Sequence, residues 1–386
     1  MEPQAAGAML AYLDHQASTP CDLSVLQAME PWWRDQCANP SSRGHRPGLT
    51  AAAAVERARA QLAHSLGAEP EWVVFTSGAT EANNLALKGV CMAALERQNP
   101  RRHLVSLTTE HRAVLDPLQV LQRHGFPLQL LDVQANGLVN LADLEAVLTP
   151  QVLLLSVMAA NNEIGVLQPL AAIATLCRQR GVLLHVDAAQ AAGHIPLAMA
   201  KLGVDLLSIS GHKFHGPKGV GALLVGPGVS LGAQIHGGGQ EGGRRAGTVA
   251  VPLVVGLGVA LEQAVADQQE RAVRLGALRD QLWCSLEQLG GIRRNGAASP
   301  RLAHNLNVTV EGVDGGELHR LLRTELAVSS GSACGQGAPS HVLAALGCSR
   351  AEAAASIRFG LGRGTTADEI TRAVAAVKTA VAQLRS

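Results

Sequence analysis

From about residue 70 to residue 230, short apolar runs alternate with amphipathic stretches bounded by Gly, Asp or Pro. That rhythm is the pattern of parallel strands joined by helical crossovers, so this part of the chain is expected to be an α/β unit. The expected strands are 73–76, 103–107, 128–132, 152–157, 182–186, 206–210 and 220–225, several of them apolar throughout, as strands covered on both faces should be. Helical periodicity marks 82–95, 170–180 and 252–289, the last as one long bridge between domains. After it come fewer strand signals, at 305–310 and 357–361, and an amphipathic helix over 367–384. The change predicts a large unit over residues 16–257 and a smaller α+β unit over 258–386, to which residues 1–15 return.

A chain of 386 residues exceeds what one core usually organises, which agrees with two units. Apolar residues make up 47% and charged ones 16%, below the ~25% of a typical soluble chain, so a large core can be buried and disorder is excluded as the main state. Thirty-two basic residues against 31 acidic ones, with no long run of one sign, exclude the basic footprint of a nucleic-acid binder. Seven cysteines, an odd number with none in C-x-x-C spacing, argue against a disulfide framework and against a zinc ribbon. The first residues lack a basic region, and the longest charge-free segments are broken by Gly and Pro, so the expectation is a soluble cytoplasmic protein with neither signal peptide nor membrane span.

In open α/β sheets ligands bind beyond the carboxyl ends of the strands. There, Ser77-Gly78-Ala79-Thr80-Glu81 opens a helix and offers backbone N–H groups and two hydroxyls to an anion, or else serves as a plain helix cap. Asp187 ends an apolar run, where a carboxylate needs a cationic or hydrogen-bonding partner; a turn aspartate is the bland alternative. Lys213, in Ser210-Gly211-His212-Lys213, ends another run and is one of only five lysines against 27 arginines, so few candidates exist for a Schiff-base role. A lysine, a buried aspartate and a phosphate seat are what pyridoxal phosphate requires.

The runs YLDHQASTP, NPSSRGHRPG, FTSGATEANNLALKG, TEHRAVL, NNEIGVLQP, HVDAAQ, SGHKFHGPKGVG, HGGGQEGGRRAGT, VSSGSACG and SIRFGLGR together carry a resemblance that spans nearly the whole chain in order. The sequence resembles the cysteine desulfurases of the NifS/IscS type, within the class V aminotransferase group of pyridoxal-phosphate enzymes. The resemblance implies fold type I, with a mainly parallel seven-stranded sheet in the large domain. It implies that Lys213 bonds the cofactor, Asp187 pairs with its ring nitrogen, Gln190 contacts the ring hydroxyl, and His111 stacks on the ring and takes part in proton transfer. Ala79, Thr80, Ser210 and His212 would hold the phosphate, joined by Thr248 of a second subunit, with Asn162 at the ring edge. Asn39 and Arg358 match the positions that bind the substrate carboxylate. Cys334 is implied as the nucleophile that takes sulfur from L-cysteine, leaving alanine. The same resemblance implies a homodimer, a sulfur-acceptor or iron–sulfur scaffold protein as partner, and no resident metal beyond Cys334 as a transient iron–sulfur ligand.

Physically, a cysteine amid Ser, Gly and Ala suits an exposed loop, whereas Cys91 and Cys177 lie in helix-like stretches and should be buried and inert. Departures from the commonest family form are a shorter, more glycine-rich stretch after Cys334, Ala189 where threonine is frequent, and the GGRRAGT neighbourhood of Thr248. The rival activities are an aminotransferase or selenocysteine lyase of the same fold, and, from another class, a non-catalytic scaffold. The G-x-G-x-x-G match at residues 237–242 lacks a strand-to-helix turn and reads as chance, and His212 with His215 lacks a third converging metal ligand.

Overall fold

A computed structural model describes residues 10–330 and 340–386. Among the described residues, twelve strands form three sheets: β1 (Ala11–Tyr12), β2 (Val73–Thr76), β3 (His103–Leu107), β4 (Leu128–Leu131), β5 (Val152–Met158), β6 (Leu183–Asp187), β7 (Leu206–Ser210), β8 (Gly221–Val225), β9 (Ile292–Arg294), β10 (Asn305–Val310), β11 (Leu326–Ala327) and β12 (Ser356–Gly360). The largest sheet has the order β2-β8-β7-β6-β5-β3-β4. Each of its strands begins and ends within one residue of the span expected from the apolar runs.

Every residue of β5, VLLLSVM, is buried, because helices cover both faces of a central parallel strand. At the edge, β4 has two exposed residues, Gln129 and Leu130, between two half-buried ones. Pairing is parallel throughout β4-β3-β5-β6-β7, but β8 runs antiparallel to both β7 and β2. The short connection between Ser210 and Gly221 explains this: a parallel return needs about a dozen residues or more, usually a helix, so β8 must turn straight back.

The expected single helix over 252–289 is two helices, Val251–Ala266 and Gln268–Glu287, separated at Asp267. The Asp267 carboxylate pairs with Arg271 and, at 3.2 Å, with Arg363, while the Arg271 guanidinium also donates to the carbonyl of Ala264 at 2.8 Å and to that of Gly193. This cluster closes the end of the first helix and turns the chain. Val254, Leu257 and Leu261 of the first helix pack in the core of the large sheet, with Ala58 and Leu62. Leu275, Leu282 and Leu286 of the second pack in a separate core with Val308, Phe359, Ile370 and Val377. The division expected after residue 257 falls inside the first helix; we propose Asp267 as the dividing point, since the core that each side serves changes there.

The smaller unit is the antiparallel sheet β12-β10-β9 covered by helices, among them Ala367–Arg385, which starts on a reciprocal cap between Thr366 and Glu369. Strand β1 pairs in parallel with β11, placing Ala11 beside Leu326, so the described chain starts on the small unit. It then crosses to the large one, where the Thr19 amide donates to the His212 carbonyl at 3.0 Å and the Asp22 amide to the His215 carbonyl at 3.0 Å. Among the described residues, no helix is long and apolar enough to cross a membrane.

Candidate active site

The carboxyl ends of β2, β5, β6 and β7 open on one cavity of about 490 Å³, within the ~300–1,000 Å³ typical of small-molecule sites. Its walls combine the ends of these strands with Gln16 and Ala17 from the crossing segment, Arg358 from β12 and His341 from a later helix.

One end suits an anion. The helix Ala79–Glu96 starts at Gly78, whose φ of 147° is open to glycine and whose side has no capping oxygen, leaving first-turn N–H groups facing the cavity. Gly221 is required for the same approach: a Cβ there would meet the Ile209 carbonyl and the Gly78 backbone. Ala79, Thr80, Ser210 and His212 all line this end, as expected. Burial, with Lys213 and Lys218 nearby, pushes His212 down to about 4, so it is a neutral donor or acceptor at pH 7. Glu81 accepts from the Ser77 amide at 2.7 Å and pairs with Arg245 at 2.8 Å, which fixes the turn.

In the middle, Asp187 is 5% exposed. Its Oδ2 accepts from the Asn83 side chain at 2.7 Å and its Oδ1 from the Ala189 amide at 2.9 Å. Both donors are neutral, and among the described residues Asp187 is in no ion pair, so the buried carboxylate is suited to a cationic N–H of a bound group. Together with the anion end, this is the donor set that pyridoxal phosphate needs, and the residues fit it.

The Nζ of Lys213 donates to the carbonyls of Gln16 at 2.7 Å and Ala17 at 3.0 Å, and so lies at the cavity wall formed by the crossing segment. The Nε2 of Gln190 donates to the same Gln16 carbonyl at 2.9 Å. His111 caps the helix Arg112–Arg123: its Nδ1 accepts from the Ala113 amide at 3.0 Å. The neutral ring therefore carries its proton on Nε2. Burial lowers its pKa, helped by Lys213 and His341 and opposed by Asp187.

Arg358 is 1% exposed. It donates to the Asn162 carbonyl at 3.0 Å and pairs with Asp14 at 2.9 Å, and so reaches the cavity beside Asn162 with its planar fork oriented from behind.

The cavity thus gathers Ala79, Thr80, His111, Asn162, Asp187, Gln190, Ser210, His212, Lys213 and Arg358. Two expected residues are not on its wall. Asn39 is exposed, with its side chain accepting from the Ser41 amide at 2.9 Å, and Thr248 is exposed on the glycine-rich segment. Cys334 lies outside the described residues. Cys91 and Cys177 are buried, which pushes each thiol up to about 12 and leaves both inert at neutral pH.

Sequence reasoning assigned nothing to Asn83, Glu110 and Glu163. Asn83 lies one helical turn after Ala79, a spacing that could have placed it on the cavity side. Glu110 is fully buried beside His111; its Oε1 accepts from the Met158 amide at 2.8 Å, and burial holds its carboxyl well above the usual range.

Comparison with known proteins agrees with this geometry. The family described as "Aminotransferase class-V" matches residues 11–373. Cysteine desulfurase IscS of Methylococcus capsulatus is 46% identical over 97% of this chain and 93% of its own length, and that of Pectobacterium atrosepticum 45% identical over the same shares. Among solved structures, a NifS-like protein superposes with a TM-score of 0.91 at 36% identity, covering 97% of this chain and all of its own. A protein described as SspA in complex with cysteine superposes with a TM-score of 0.79 at 37% identity, over 91% of this chain and 98% of its own. On the match across nearly its whole length, the chain belongs to the aminotransferase class-V family of pyridoxal-phosphate enzymes, among its cysteine desulfurases.

Proposed function

We propose that the protein removes sulfur from L-cysteine with pyridoxal phosphate, giving L-alanine and a persulfide on Cys334, and passes the sulfur to an acceptor such as an iron–sulfur scaffold protein in the cytoplasm. The observation that carries this reading is the convergence of Lys213, Asp187 and His111 in one cavity, two wall residues of which, Arg358 and Glu163, bond Ser329 and Ser340 on either side of Cys334 in sequence.

Bound pyridoxal phosphate supplies an electron-withdrawing ring that stabilises negative charge next to the substrate amine. Lys213 would hold it covalently through Nζ and, once released, move the proton at the substrate Cα. The helix Ala79–Glu96, Ser210 and His212 would seat its phosphate, and Asp187, aligned by Asn83, would keep a proton on its ring nitrogen. Arg358 would orient the substrate carboxylate through a bidentate pair. His111, neutral with Nε2–H turned to the cavity, is placed as a donor. At Cys334 the new S–S bond forms as the substrate C–S bond breaks, so cysteine and enzyme thiol become alanine and enzyme persulfide.

Thr248, exposed and away from its own cavity, suits a homodimer in which each chain completes the phosphate seat of the other. Incubation of the purified holoenzyme with L-cysteine and a reductant should release alanine and sulfide in equal amounts. Alanine without sulfide, or amino transfer to a keto acid at a comparable rate, would overturn the reading.

A further inference from the structure

Glu163 follows Asn162 at the cavity wall and is 1% exposed. Its main chain cannot shift without loss: its amide donates to Asn161 Oδ1 at 2.9 Å, and its carbonyl accepts from the side chains of Asn305 at 3.0 Å and Asn307 at 3.1 Å, both on β10. The carboxyl is therefore a fixed post between the two units. Its Oε2 accepts from the hydroxyl of Ser340. Ser340 in turn caps the helix His341–Ala345, accepting from the Leu343 amide at 3.0 Å. That helix packs Val342 and Leu343 on Ile164 and Val166, the residues that follow Glu163. A second tie lies next to the first, where Nε2 of His341 donates to the Glu110 carbonyl at 2.8 Å, beside His111.

The other flank of Cys334 is held too. The Arg358 amide donates to the Ser329 carbonyl at 2.7 Å, on the residue whose guanidinium is proposed for the substrate carboxylate. Cys334 stands six residues before Ser340, a span of at most ~20 Å when extended. Where Ser340 is fastened therefore bounds how far the thiol can lie from the cavity, and the effective concentration of a linked nucleophile depends on the place of its attachment.

We propose that Glu163 is a positioning residue for sulfur transfer: through the Ser340 hydroxyl it fastens the returning side of the Cys334 segment to the cavity rim and sets the reach of the thiol. The inference rests on Cys334 being the sulfur acceptor. Glu163 touches neither substrate nor cofactor in this role; it acts through Ser340.

The test is a single turnover of holoenzyme with L-cysteine, quenched in time and read by mass spectrometry as the fraction of Cys334 carrying an extra sulfur. The cysteine-induced absorbance change is followed in parallel as the measure of substrate binding. Glu163→Ala and Ser340→Ala should each slow persulfide formation about tenfold while the cysteine half-saturation moves less than about twofold. Glu163→Gln, whose amide oxygen accepts the same hydrogen bond, should stay near the parental rate. The double alanine variant should be no slower than the slower single one, because both remove one contact. Parental rates in both alanine variants would overturn the proposal, as would a loss of cofactor and cysteine binding in step with the rate, or a Glu163→Gln variant as slow as Glu163→Ala. Absence of sulfur on Cys334 in the parental enzyme would overturn the acceptor assignment itself, a result read before any variant is compared.

Discussion

The side-chain amide of Asn83 donates to Oδ2 of Asp187 at 2.7 Å, and the pair is buried at the centre of the cavity. With the Ala189 amide on Oδ1, this leaves the carboxylate no freedom to turn away from a ring nitrogen. Asn83→Ala should weaken cofactor binding at least about tenfold, the loss of one hydrogen bond of about 1.5–3 kcal/mol to a charged group. Asp187→Asn, which removes the charge, should lower alanine formation by more than about a hundredfold. Absorbance titration with pyridoxal phosphate and a cysteine turnover assay check both, and equal behaviour of the two variants would contradict the alignment role of Asn83.

Lys213→Ala should abolish the borohydride-reducible link between cofactor and protein, together with all turnover. Its Nζ is the amine that the crossing segment holds at the cavity wall. Cys334→Ser should leave that link, and the spectral change on adding cysteine, intact while alanine formation fails, since a hydroxyl is scarcely ionised near neutral pH. A serine variant that still makes alanine at close to the parental rate would refute the persulfide route.

Stability should fall on mild acidification. Burial, aided by His215, pushes His15 down to about 4; burial likewise pushes His194 down to about 4 and His304 well below its ordinary value. Below about 6.5 the unfolded chain takes up protons that the folded one refuses until about 4, so stability is complete above 6.5 and drops through that window. At pH 5 the loss is on the order of 2 kcal/mol each for His15 and His194. Urea denaturation at pH 7.5 and pH 5 measures it, and a midpoint that does not move would contradict it.

Glu110 has the opposite sign. Its raised carboxyl favours the folded state below about 4.5, and that stability is lost as pH rises through the folded pKa. Glu110→Gln keeps an acceptor for the Met158 amide and removes the ionisation, so at pH 8 it should match or exceed the parent in stability. Glu110→Ala strands that amide and should cost about 1–3 kcal/mol. Denaturation of the two variants side by side distinguishes them.

Arg59 pairs with Glu241 at 2.9 Å with both side chains largely buried, and Glu241 also accepts from the Phe75 amide at 2.9 Å. Arg59→Ala leaves the carboxylate buried and unpaired, and should cost about 3–5 kcal/mol in a denaturant titration. A change below about 1 kcal/mol would mean that water reaches Glu241.

Much of the sheet was legible because apolar runs such as Val152–Met158 must be strands buried on both faces, and the polar residues after them must face the ligand edge. The direction of β8 was less visible, although the short connection after Ser210 carries the signal. The break at Asp267 was hidden, because no glycine or proline makes it; the chain turns where Arg271 and Arg363 gather on one carboxylate, and those partners are distant or unpredictable in sequence. In the site, Lys213, Asp187, His111 and Arg358 were readable from their motifs, while the carbonyls of Gln16 and Ala17 were not, since main-chain atoms leave no mark in the alphabet of side chains.

The crossing segment has a consequence for biosynthesis. Its strand β1 pairs with β11, which leaves the ribosome roughly three hundred residues after it. A nascent chain long enough to fold the seven-stranded sheet already owns Lys213 and the His212 and His215 carbonyls that hold Thr19 and Asp22, but it lacks the strand that fastens the start of the segment. Arg358, on β12, is made later still, so a chain that stops before the small unit owns the lysine and lacks the guanidinium that lines the same cavity.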